Sequence, residues 1–388
     1  MEARRLAMMP SAFETLPTSC DILIIGAGPA GAIAALLAAK KGFDTVLVDR
    51  AAFPRNKVCG CSLTQRGVNQ LQSAGIAEIL DDAAHISRMR LITAHRSASI
   101  SIPPYRVISR ELLDTRIATA ATSAGAKLLT NTSALVHTNC VTLTRNNQSE
   151  LCTPRCIIIA DGISGTSLRD HPAFAWTIAP ASRMGLGTTL SQSPIPLEPN
   201  ELAMLVRRDG YIGLVKLPGS TIDLAAAADA ASVRAAGGPA AWLIAAFTQL
   251  AGDCTQLAKT RIHGTPLLTR KRNRVAHENI FLIGDAAAYV EPFTGEGMTW
   301  ALETGTQIID FAAKIITNKL LPSQATPTAQ AWQAHYNHSL VPKHRACERV
   351  ATSVRSPLRH AALSLASFAP SLASSIASRV LRVREVPA

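Results

Sequence analysis

Residues 21–49 read DILIIGAGPAGAIAALLAAKKGFDTVLVD, and the order of element types in that stretch decides the fold. DILII is a short apolar run that stops at glycine, the pattern of a buried strand. Ala30 to Lys41 is an Ala/Leu-rich helix with Gly42 placed to end it. TVLVD is a second apolar run, closing on Asp49. Strand, helix and strand in so few residues make a βαβ unit with a right-handed crossover. GAGPAG (26–31) sits between the first strand and the helix. Gly26 permits the tight turn, Gly28 lets backbone approach a pyrophosphate, and Gly31 allows close helix–strand packing. Ala30 lies at the helix start, whose unsatisfied N–H groups and positive dipole end favour phosphate. Asp49 is placed to accept hydrogen bonds from a ribose diol, with Arg50 beside it. A glycine turn alone is weak evidence; with both strands, the helix and the terminal carboxylate, dinucleotide binding is expected.

Two further apolar runs, RCIIIAD (155–161) and NIFLIGD (279–285), each close on an aspartate with a glycine beside it. Both are expected as strands of the same parallel sheet, with Asp161 and Gly284-Asp285 at functional strand ends. The segment after the second, EPFTGEGM (291–298), places Pro292, Gly295 and Gly297 before a long helix that begins near Met298. Asp285 is suited to ribityl hydroxyls, and the N–H groups from Gly295 to Met298 to negative charge on a reduced isoalloxazine. Ser109 is an N-cap for a helix running to Gly125 and opening with Arg110.

Between Gly185 and Asp229 the pattern changes to extended segments punctuated by Asp209-Gly210 and Pro218-Gly219-Ser220. That is an antiparallel meander inserted into the parallel unit. The predicted class is α/β: a Rossmann-like parallel-sheet domain, an inserted antiparallel substrate domain and C-terminal helices. The nucleotide-binding domain is assigned to 20–184 and 260–320, with short substrate-domain strands near 87–103. The inserted domain is assigned to 185–259 and the helical region to 321–388.

These marks resemble the FAD-dependent p-hydroxybenzoate-hydroxylase-like superfamily: an amino-terminal glycine motif, DG at Asp161-Gly162 and GD at Gly284-Asp285. The match spans 21 to about 320. FPRNKVCG (53–60) and EPFTGEGM are similar to loops of the geranylgeranyl reductase-type branch. The resemblance implies bound FAD, with Lys57 and Cys59 beside the flavin and Arg110 contacting the cofactor. It also implies a β-sheet roofing the substrate cavity. Geranylgeranyl reductases carry Y-x-W-x-F-P on a roof strand. Here Tyr211 is retained, and Gly213 and Val215 stand at the bulky positions. Halogenases of the superfamily carry W-x-W, which does not occur.

Glu296, at a helix start, is the first acid/base candidate, followed by Tyr211 and Lys57; surface and core packing are the ordinary alternatives for each. Cys59 and Cys61 are assigned to packing or substrate contact rather than a redox pair. The eight cysteines are irregularly spaced, and neither a disulfide framework nor a metal site is expected. A formal charge of +12 raises the question of nucleic acid, but no such motif stands out. From Val341 onward eight Lys or Arg face two Glu, half of the excess. A basic, partly apolar tail over 353–386 suits peripheral contact with an anionic membrane, with helices packed on the body as the alternative. No secretory leader or transmembrane run is evident, so a cytoplasmic protein is expected, membrane-associated if the tail makes that contact.

The sequence thus points to an FAD-dependent oxidoreductase acting on a small apolar or aromatic molecule. Reduction of a C=C bond in a lipid-like, isoprenoid or polyketide substrate comes first, with NAD(P)H as transient reductant or a protein donor. Flavin-dependent hydroxylation of an aromatic or polyketide substrate is the alternative. A non-catalytic flavin sensor or membrane electron carrier is a third reading.

Overall fold

The computed structural model describes residues 15–356, except 95, 139 and 292, together with 371, 374 and 375. DILII forms β1 (Ile22–Ile25), buried at every position, as a strand covered on both faces must be. The chain turns through the glycines into α1 (Pro29–Lys40) and returns as β2 (Thr45–Val48). After β3 (Ser62–Thr64) and α2 (Gln65–Ser73) come the long β4 (Ala84–Ile92) and β5 (Ser97–Val107). Ser109 Oγ accepts from Leu112 N and caps α3 (Arg110–Ser123). Next follow β6 (Lys127–Leu129) and a small antiparallel sheet of β7 (Ser133–Val136), β8 (Val141–Arg145) and β9 (Gln148–Cys152). The turn between β8 and β9 is Asn146-Asn147, both at positive φ, the conformation a tight hairpin asks for. The chain then enters β10 (Cys156–Ile159) and β11 (Trp176–Ile178).

The meander is present: β12 (Met184–Leu190), β13 (Glu201–Val206), β14 (Gly210–Lys216) and β15 (Ile222–Ala228). It is followed by α4 (Ala230–Ala235), α5 (Pro239–Thr248), β16 (His263–Leu267) and β17 (Arg270–Arg272). The last strands are β18 (Ala276–His277), β19 (Ile280–Leu282) and β20 (Ala288–Tyr289). Helices α6 (Gly297–Thr317), α7 (Thr326–Ser339) and α8 (Val341–Arg355) complete the chain.

One sheet runs β18-β19-β10-β1-β2-β6, parallel except for the short β18. The carboxyl ends of β1, β10 and β19 therefore meet on one side, where ligands of open α/β sheets bind. A second sheet runs β16-β12-β15-β14-β13-β4-β5-β3. It is antiparallel except where β13 lies parallel to β4, the pair that joins the meander to 84–107. Its two faces are distinct because strand side chains alternate. Leu186, Ile212, Leu214, Leu224 and Trp242 pack on the outer side. Met204, Tyr211, Val215 and Ala227 belong to the inner cluster, toward the glycine loops.

Among the described residues no helix is long and apolar enough to cross a membrane. The tail at 353–386 lies almost entirely outside the described residues. Its first arginine, Arg355, turns inward: it donates to the Ala181 carbonyl at 2.6 Å and pairs with the buried Glu291.

Candidate active site

The glycine loop is forced by close approach. Gly26 has φ +104, and a Cβ there would sit 2.3 Å from the Ala160 carbonyl oxygen on β10. A Cβ on Gly31 would fall 1.9 Å from the Gly26 carbonyl oxygen, so only glycine lets α1 begin so near the turn. The carboxylate of Asp49 accepts from Ala27 N and Ala51 N, both at 2.9 Å, and pairs with Arg55 at 3.2 Å. The group the sequence offered to a ribose diol is thus largely committed to holding the turn.

Arg110 forks onto the fully buried Asp114 through Nε and Nη2, each at 2.8 Å, and Arg55 approaches the same carboxylate at 3.4 Å. A Cβ built on Gly28 would be 3.5 Å from Arg110 Nη2 and 3.7 Å from Arg55 Nη2. Two guanidiniums thus flank the positive end of α1, beside Asp49 and Asp114, and N–H groups with two guanidiniums suit an anion such as a pyrophosphate.

Lys57 lies over Gly162, 2.8 Å from where a Cβ would be. Burial and the charge of Arg110 push its ammonium below the ordinary lysine value, while Asp285 opposes the shift. Burial pushes the Asp285 carboxyl up, against the pull of Lys57 and Arg110. Both side chains line one cavity of about 460 Å³, together with Gly28, Ala30, Arg50 and Arg110. Gly295, Gly297 and Met298, at the N-terminus of α6, close its floor. A half-buried carboxylate, an ammonium and a helix N-terminus around one cavity suit the hydroxyls and ring of a flavin. Asp161 and Gly284 do not line this cavity. Asp161 Oδ2 accepts from Ser167 N at 2.9 Å and shapes its loop, leaving Oδ1 without a partner among the described residues. Gly284 donates to Thr304 Oγ1 at 3.0 Å, tying the turn to α6. Pro292 lies outside the described residues.

Glu296, the first acid/base candidate, is placed away from the cavity wall. It is buried but absent from the cavity wall, because its carboxylate turns toward α2 and meets Arg66 at 2.6 Å. Arg66 also holds Glu303 at 3.1 Å, and Lys343 of α8 reaches Glu303 at 2.8 Å. Glu296 therefore belongs to an ion network linking α2, α6 and α8. Tyr211 does line the cavity, with its ring edge-on to Phe293 at 5.1 Å and its hydroxyl unpartnered among the described residues.

Other residues line the cavity or lie under its loops. Tyr105 of β5 donates to the Thr294 carbonyl at 3.0 Å and fixes the loop before α6. Glu291, under the same loop, is held by Arg183 at 3.2 Å and by Arg355. Cys59 and Cys61 both face the cavity as free thiols. The Cys61 thiol, donating to Cys59, holds Cys59 down at about 6; burial opposes this and Arg110 assists. Asp223 of β15 is a buried carboxyl on the inner face of the roof. The sequence signal for it was a single acid in the apolar strand TIDLAAAAD, at even spacing from Ala225 and Ala227.

Comparison with known proteins agrees with this geometry. The family model described as FAD binding domain matches residues 19–317. Menaquinone reductase of Mycobacterium tuberculosis is 33% identical over 311 residues, covering 74% of this chain and 75% of the relative. Digeranylgeranylglycerophospholipid reductase 2 of Methanosphaera stadtmanae is 26% identical over 328 residues, covering 76% of this chain and 78% of the relative. A flavoprotein/dehydrogenase from Cytophaga hutchinsonii shares the fold with a TM-score of 0.78 at 18% identity, over 94% of this chain and 92% of that one.

Proposed function

The chain belongs to the FAD binding domain family and is a flavin-dependent oxidoreductase; on that premise we propose that it reduces a C=C bond of an apolar, isoprenoid-type or polyketide lipid. NAD(P)H or a protein donor supplies the electrons. The reading is carried by the roof of the cavity. Met89, Leu202, Met204, Val215 and Leu217 line the same cavity as Lys57 and Asp285. Such a wall holds an aliphatic chain through area removed from water, about 25 cal/mol per Å². Gly213 and Ala225, facing each other on β14 and β15, keep that wall recessed where the reductase branch has a tryptophan. Two relatives support the same class, because menaquinone and digeranylgeranylglycerophospholipid both bear prenyl chains.

FAD in its reduced form supplies hydride. The residues of this chain do the rest of the work. Arg110, Arg55 and the start of α1 hold the phosphates, while Lys57 and Asp285 orient the other end of the cofactor. The apolar roof excludes water from the reacting bond. The test is anaerobic turnover of the FAD-loaded protein with NADPH and a prenylated quinone. Saturated product formed without oxygen is expected. Product that appears only with oxygen overturns the proposal and points to hydroxylation.

A further inference from the structure

Addition of hydride across a C=C bond leaves one carbon to be protonated, so a proton donor must face the apolar end of the cavity. Glu296 is turned away. Among the described residues the carboxyl groups lining the cavity are Asp285 and Asp223. Asp285 lies at the end of β19 with the charged side chains; Asp223 alone projects from the apolar roof.

Its surroundings are specific. On β15 it pairs in register with Thr189 of β12 and Val215 of β14, neither of which carries charge. The titratable groups beside it are Cys59 and Cys61. Asp223 is 7% exposed, and among the described residues its Oδ2 has no hydrogen-bond partner and no cation is paired with it. Burial, with Cys59 adding to it, pushes this carboxyl well above the usual carboxylate range. A carboxyl that an apolar wall biases toward its protonated form is suited to donate a hydrogen bond or a proton. Thr189, its neighbour on β12, is exposed and opens a short way to solvent.

We infer that Asp223 is the acid that protonates the second carbon of the reduced bond, an inference that rests on the reading of the preceding subsection. One new C–H bond forms with hydride from reduced FAD, and the other with the proton from Asp223. The π bond is lost, the cofactor is oxidised by two electrons, and NAD(P)H reduces it again. The Asp223 carboxylate takes its proton back from solvent past Thr189.

The test uses the FAD-loaded full chain, NADPH and menaquinone in detergent micelles under nitrogen, with wild type, D223N and D223E. After the quinone ring is reoxidised in air, a gain of two hydrogens by mass reports side-chain saturation alone. D223N is expected to bind FAD and accept electrons from NADPH as wild type does, and to lose product formation by at least ~100-fold. D223E is expected to recover part of it. D223N saturating menaquinone at the wild-type rate overturns the assignment. If wild type forms no saturated product, the reductase reading itself fails, and the carboxyl is judged without turnover. The infrared difference between wild type and D223N is expected to show a protonated-carboxyl band at neutral pH. Its absence overturns the donor role. A carboxyl protonated in the fold favours folding only below its unfolded value, about 3.9, and that advantage is lost as pH rises toward the folded value. The D223N melting temperature is therefore expected to gain on wild type as pH rises from acid to neutral.

Discussion

Replacing Arg110 by methionine separates two jobs that the residue performs. The first is structural. Asp114 is fully buried, with both oxygens in the Arg110 fork at 2.8 Å. Removing one partner of a buried pair typically costs ~3–5 kcal/mol, because the remaining charge is left in a poor medium. Arg55 stays 3.4 Å from the same carboxylate, so the lower end, ~3 kcal/mol, is expected for R110M. Adding D114L removes the stranded charge and should return most of that stability, since an apolar pair of similar volume is often neutral or better. The second job is electrostatic. Arg110 Nη2 stands 3.5 Å from the Cβ position of Gly28, where a pyrophosphate meets the start of α1. A lost charge-assisted hydrogen bond is worth ~1.5–3 kcal/mol, roughly 10- to 150-fold in the FAD Kd. Urea unfolding of the apoprotein reads the first job, and quenching of flavin fluorescence on titration reads the second. R110M/D114L should thus be stable and still bind FAD weakly. Wild-type FAD affinity in that double variant refutes the reasoning, and Arg110 becomes a partner of Asp114 only.

Three shorter predictions follow from neighbouring residues. The Lys57 ammonium sits below its ordinary value through burial and Arg110, and only its charged form attracts phosphate or a carboxylate. FAD affinity should fall as pH rises through that lowered value, and K57M should show a flatter Kd profile; a slope identical to wild type rules Lys57 out. E296Q should keep the wild-type pH profile of turnover while losing about 1–2 kcal/mol of stability through the weakened Arg66 contact. Loss of one limb of the pH profile would restore Glu296 as the acid. At Gly213 a Cβ already lies 3.2 Å from Met204 Sδ, so G213W must project bulk into the cavity. The KM for a long apolar chain should rise roughly tenfold, about 1.4 kcal/mol, with FAD binding intact. An unchanged KM places the chain elsewhere.

The parallel sheet was legible in the sequence because its signals are local. The turn at Gly26, the run of α1 and the end of β2 all fall within a window where strand and helix periods can be counted. The capping serine at 109 and the turns at Asp209-Gly210 and Pro218-Gly219-Ser220 were legible for the same reason. What failed to show was long-range pairing. Nothing in 84–107 announces that β4 will lie parallel to β13, yet that contact carries Met89 onto the cavity wall. Glu296 was read on a local cue. An acid between two glycines at a helix start looks available to a ligand, but its direction is set by Arg66, which is distant in sequence and near in space. Asp223 shows the reverse case. Its strand reads as apolar filler, and only the register with Thr189 and Val215 turns its carboxyl to the inside.

The two ends of the cavity therefore differ in how evolution can edit them. At the charged end, Gly26 and Gly31 leave no room for a Cβ, and the Asp49 carboxylate accepts from Ala27 N at 2.9 Å. A change there would disturb the turn that the family's FAD-binding fold shares. At the apolar end, the wall consists of inward positions on strands paired across long stretches of chain. A substitution at Gly213, Val215 or Ala225 changes cavity shape without touching a ladder hydrogen bond, because the side chain stands perpendicular to the sheet. Substrate class can drift along that face while the phosphate cradle stays fixed. A buried carboxyl is the exception to that freedom. It gives up hydration without a cation to offset the loss, and a neutral apolar residue at 223 would pack at lower cost. Its presence in the roof is the feature that packing leaves unexplained and that the proposed proton delivery would account for.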